Sequence, residues 1–168
     1  FSFPDDGSFL SHWKALEDSL GKLKFKAKKF TLDRDTITAE TLIETIQLTV
    51  NSHDFPWASN YSTSQLFSFV LPYRVGNEHI GHWRAFLLAH FFPLIPDTIQ
   101  QPEIVAEMVN DYIDTHFRVD DRFLKKADIA SVEELFRIRC GNERDISYLK
   151  VKSLRSLGIP ASLNHIPY

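Results

Sequence analysis

The chain has 168 residues, 43% of them hydrophobic, with fourteen phenylalanines and three tryptophans, which excludes disorder as a whole-chain reading; one domain of this length buries roughly 70% of its unfolded surface. A formal net charge of −3 supplies no global attraction to nucleic acid or an anionic membrane, and neither is an expected partner. The single cysteine, Cys140, excludes an intrachain disulfide framework and a cysteine-rich zinc site, and the most apolar run, FLLAHFFPLI at 86–95, is too short to span a bilayer.

In chain order, Phe9, Trp13, Leu16 and Leu20 recur at helical spacing between Ser8 and Gly21 and predict a first helix. GKLKFKAKKF at 21–30 alternates lysines with Leu23, Phe25 and Ala27. It reads as an exposed strand or helix end with a solvated lysine face, or, functionally, as a binder of polyanions. Thr38 is a good N-cap and Ile37 with Leu42 fits a hydrophobic staple, so residues 39–50 are expected as a helix with Ile43, Ile46 and Val50 inward. NSHDFPWASNYS at 51–62 is a turn-rich connection with Phe55 and Trp57 packed down, and 63–71 form a short helix stopped by Pro72.

PYRVGNE at 72–78 places Arg74, Asn77 and Glu78 in a dense polar run between apolar elements. Such a run ties helix ends together through buried hydrogen bonds, or else walls a ligand pocket. His79 and His82 are expected on one face at the start of the next helix, but two histidines do not complete a metal site and the adjacent Glu78 points elsewhere, so no metal is expected. Trp83, Phe86, Leu87 and Phe91 read as that helix's core face. Beyond Pro93 and Pro96, the residues Ile104, Val105, Met108, Val109, Tyr112, Ile113 and Phe117 form the buried stripe of an amphipathic helix. RVDDRFLKKAD at 118–128 is a charged connector.

Start and stop signals coincide in SVEELFRIRCGNERDISYLKVKSLRSLGIPAS at 131–162. Ser131 and Glu134 form a capping box, Gly141 breaks the chain, Asn142 is the next N-cap, Gly158 sits at C′ and Pro160 prevents continuation. The helix between runs from about 143 to 157. Ile146, Leu149, Leu154 and Leu157 share one face with Ser153, while Tyr148 and Val151 lie opposite beside Arg155, the pattern of a central helix.

Gly141 and Asp145, followed by a helix ending in LRSLGIPA and an extended run, resemble the core of the transglutaminase-like superfamily. FVLPYRVGNEHIGHWRAF at 69–86 is similar to a segment of secreted bacterial proteins carrying that domain. The resemblance implies a papain-like α+β fold, represented here mostly by α structure: a helix-rich N-terminal region over 1–127 and the beginning of the core over 128–168. The chain opens on Phe1 and ends within the pattern, as a processed or trimmed piece would.

In that family a G-x-C-x-D motif sets a nucleophilic cysteine at the start of the central helix, where the positive helix end activates the thiol. Here Glu143 holds that position and Cys140 lies three residues earlier, before the glycine. The family's histidine and aspartate belong to later strands, and His165 comes too early to be that histidine.

The expectation is therefore a non-catalytic binding or interaction module without a cofactor. Gly141, Glu143, Arg144 and Asp145 are its pocket candidates, and its ligand is a protein, peptide or carbohydrate. The alternative is an active cysteine-dependent amide hydrolase or acyltransferase using Cys140 or residues beyond the chain end. A third class, a hydrolase with Glu143 as general base, needs a second acid, for which Asp145 is nearest. The resemblance also implies a secreted or cell-envelope location.

Overall fold

The structure, a computed structural model, describes residues 14–15, 18–19, 32–120, 122 and 129–164. Lys14, Ala15, Asp18 and Ser19 are helical and exposed, and most of the expected first helix lies outside the described residues. The lysine-rich run at 21–30 also lies outside them, as do most of the 118–128 connector and His165. The chain divides between Leu32 and Asp33, and the fold below belongs to the second unit.

After a 3-10 turn at Asp33–Asp35, helix α1 spans Ala39–Ser52, with Thr38 accepting the Thr41 N–H as its N-cap. Helix α2, Thr63–Gln65, starts on a Ser62/Gln65 capping box and runs straight into a π-helical turn at Leu66–Val70. Helix α3 spans Trp83–Phe91 and continues as a 3-10 turn, and α4 spans Pro102–His116 with proline in its first turn. Strand β1, Arg118–Val119, follows. Helix α5, Val132–Ile138, strand β2, Cys140–Gly141, and helix α6, Glu143–Ser156, complete the order. The two strands pair in parallel, Arg118 with Cys140 and Val119 with Gly141. The described fold is thus mostly helical.

Helix α6 is the centre. It packs against α3, α4 and α1, and it is buried on both sides, through Ile146 and Leu149 on one and Tyr148 and Val151 on the other. Gly158 ends it with a φ of 76°, the left-handed conformation that favours glycine. The Trp57 indole donates to Leu157 O at 2.8 Å, pinning the 51–62 connection onto this end. Leu87 and Phe91 of α3, Val105, Val109 and Ile113 of α4, and Leu135 of α5 join Ile146 and Leu149 in one core. Each such large apolar side chain contributes about 1.5–3 kcal/mol relative to exposure.

Three expectations are corrected. Helix α1 is turned round: Thr41, Thr45, Thr49 and Ser52 face inward, while Ile43, Ile46 and Val50 are 54%, 50% and 57% exposed. At the C-terminal end of α1 the approach to α6 is close: a Cβ on Gly158 would lie 2.8 Å from Ser52 O and 2.9 Å from Ser52 Oγ, so position 52 faces the end of α6 with a short side chain. On α3, Phe86 is exposed and Arg84 takes a buried place beside Trp83, Leu87 and Phe91. His79 lies in an irregular segment and His82 is only the N-cap of α3, so they do not share a helix face.

Candidate functional site

The start of α6 is built by a sharp change of direction. Arg139, at φ 55°, closes α5 by donating its N–H to Leu135 O, and its guanidinium lies over the rings of Phe117 and Phe136, 4.8 and 4.9 Å from their centroids. Cys140, partly buried, then pairs with Arg118 in the small sheet. Gly141 follows at a close approach: a Cβ there would stand 2.9 Å from Leu135 Cδ2 and 3.0 Å from the Asp145 Cβ.

Asn142 caps α6, as its sequence position predicts, but within a reciprocal box that sequence reasoning missed. Asn142 Oδ1 accepts the Asp145 N–H at 2.9 Å, and Asp145 Oδ2 accepts the Asn142 N–H at 3.1 Å. Asp145 Oδ1 accepts the Ala130 N–H at 3.1 Å, and the residue is completely buried. The signal was present as N-x-x-D, the short-chain relative of the S/T-x-x-E box.

The four pocket candidates therefore fall into two pairs. Gly141 and Asp145 are buried and bind the turn to the helix, whereas Glu143 and Arg144 are exposed on the first turn of α6. Among the described residues the Glu143 carboxylate makes no hydrogen bond or salt bridge, and only its backbone carbonyl is engaged, by Ser147 Oγ at 2.8 Å. Glu143 and Asp145 thus present no pair of carboxylates to a common substrate, because both Asp145 oxygens already hold backbone N–H groups.

In PYRVGNE, Glu78 and Arg74 tie the segment to its neighbours as expected, while Asn77 is exposed. Glu78, 3% exposed, accepts the Val75 and Gly76 N–H groups at 2.8 Å each and pairs with the buried Lys152 of α6 at 3.2 Å. Burial works to raise the Glu78 pKa, but Lys152 and the backbone donors prevail and hold it below the ordinary value; burial pushes the Lys152 ammonium down. Arg155 donates to Arg74 O at 2.7 Å and Ala161 O at 3.0 Å. Arg84 donates to Arg155 O at 2.9 Å and Val70 O at 2.8 Å. Burial, with Arg155 nearby, lowers the Arg84 pKa to about 9. Arg74 reaches back to Asp33, which also accepts the Tyr73 hydroxyl at 2.8 Å. Sequence reasoning missed Lys152, Arg84 and Arg155 in these roles, since their partners are backbone groups and side chains far away in the chain.

At the other end of this segment His82 contacts Glu44 of α1, and that contact, with Glu40 and Glu133 also near, raises its pKa. No helix of the described residues is long and apolar enough to cross a membrane. No family model, curated protein or solved structure matches the chain.

Proposed function

We propose that the chain is a transglutaminase-like protein that has given up the thiol chemistry of that family and acts as a binding or interaction module. The observation that carries the reading is Glu143: the position of the family's cysteine holds an exposed carboxylate in the first turn of α6, with no partner among the described residues. A carboxylate there complements the positive helix end and offers its charge to a ligand. The family-matching Gly141 and Asp145 support the same reading, because both serve the turn and helix cap. A papain-like core that keeps its scaffold can lose its nucleophile without losing its shape.

The test is turnover. The full chain is incubated with a glutamine-containing peptide, and ammonia release and amide cleavage are followed beside Cys140→Ala. The expected result is no turnover in either protein. Turnover that Cys140→Ala abolishes would replace this reading with a cysteine-dependent amide hydrolase or acyltransferase.

A further inference from the structure

Helix α1 carries a row of exposed apolar side chains. Leu42, Ile43, Ile46 and Val50 recur at the spacing of one helical stripe and are 38–57% exposed, while the hydroxyl-bearing side of the helix is buried. Large apolar side chains lined up on one exposed helix face mark an interaction surface more often than scattered ones do.

The charge around the stripe selects the partner. From Asp35 to Tyr73 the sequence holds no lysine or arginine, and its carboxylates are Asp35, Glu40, Glu44 and Asp54. Glu44 is occupied by His82, but Glu40 and Asp54, near the two ends of α1, are exposed and make no salt bridge among the described residues. The surface is an apolar stripe with an acidic rim. An anionic membrane is repelled by such a rim. A second copy fits poorly as well: antiparallel packing of α1 on α1 about Ile46 sets Glu40 of each copy towards Asp54 of the other, like charge against like.

We infer that α1 is the docking surface for a basic amphipathic helix of a partner protein, its apolar stripe laid along Leu42, Ile43, Ile46 and Val50 and its lysines or arginines meeting Glu40 and Asp54. The mode is that of a helix in an apolar groove or on an apolar face, read through anchors at i, i+3, i+4 and i+7. The inference rests on the binding-module reading and gives that module a partner class.

The experiment titrates the full chain with a synthetic leucine–lysine amphipathic helical peptide and maps hydrogen-exchange protection. The expected result is saturable binding that protects α1 and weakens with added salt. Ile46→Glu, at an exposed position that does not threaten folding, is expected to weaken it about tenfold or more. Ile104→Glu, at an exposed apolar position on α4, is expected to leave it unchanged.

Four results overturn the inference: no binding, binding that Ile46→Glu leaves intact, equal binding of a leucine–glutamate peptide, or protection of α1 by self-association or by anionic vesicles. None of these touches the turnover test of Cys140, so the failure of this inference and that of the reading beneath it are separately visible.

Discussion

Asp145 and Asn142, both buried, cap each other at the start of the central helix: each side chain accepts the other's backbone N–H, at 3.1 and 2.9 Å. The second Asp145 oxygen holds the Ala130 N–H, so the residue ties the approach to α5 onto the start of α6. Asp145→Ala is expected to leave two buried N–H groups unsatisfied and to destabilise the fold by about 2–5 kcal/mol. Urea unfolding measures this. A loss below about 1 kcal/mol would mean that Asp145 is not the clamp described.

Glu78 and Lys152 make a buried pair that fastens the 72–78 segment to α6. Removing one partner leaves an uncompensated buried charge, so Lys152→Met is expected to cost about 3–5 kcal/mol. The double variant Glu78→Gln/Lys152→Met is expected to recover part of that loss. Strict additivity in the double-mutant cycle would show that the two residues do not act together.

Two histidines give the stability curve opposite slopes. The His82 pKa is raised above 6.5, chiefly by Glu44, so its contribution is fully present below the unfolded value and is lost as pH rises through the folded value. His82 is 54% exposed, so that contribution is held to less than about 1 kcal/mol. The His90 pKa is lowered by burial and then by Arg139 and His116, while its Nε2 meets the Tyr112 hydroxyl at 3.0 Å. Its neutral form is the folded one, so stability falls as pH drops from 6.5 through the folded value. His82→Gln is expected to flatten the alkaline side of the thermal-stability profile and His90→Gln the acid side. Profiles unchanged in shape would refute both assignments.

Thr49 is buried on the inner face of α1, and its hydroxyl has no hydrogen-bond partner among the described residues. Thr49→Val replaces that hydroxyl with a methyl group of similar size and is expected to stabilise the protein by about 1 kcal/mol. A shift of the urea midpoint to lower concentration would instead place a partner on that hydroxyl.

The caps were legible in the sequence because capping is local chemistry. Thr38, Ser131, Asn142 and Gly158 stand where their side chains or conformations predict. The two-sided burial of α6 was legible from its two apolar faces, and the stripe of α4 from Val105, Val109, Ile113 and Phe117, but Ile104, expected in that stripe, is 39% exposed at the edge of the buried face. The orientation of α1 was not. Periodicity alone points Ile43, Ile46 and Val50 inward, whereas Thr41, Thr45, Thr49 and Ser52 are the buried side, and the close approach of Ser52 to Gly158 exists only once α1 and α6 meet. Nor was it legible that Arg84 and Arg155 spend their donors on carbonyls, since Arg84 and the Arg155 carbonyl it binds are 71 positions apart. At the site, the carboxylate of Glu143 two residues after Gly141 is a fact of sequence, while the consumption of both Asp145 oxygens is a fact of packing.

The central claim is that no activated thiol operates at the start of α6, and the alkylation rate of Cys140 across pH, set beside that of a simple thiol, tests it most directly. The account predicts a rate that falls away in acid in step with the simple thiol, or lies below it at every pH. A rate that persists well into acid, where the simple thiol has stopped reacting, would contradict the account and return Cys140 to the role of nucleophile.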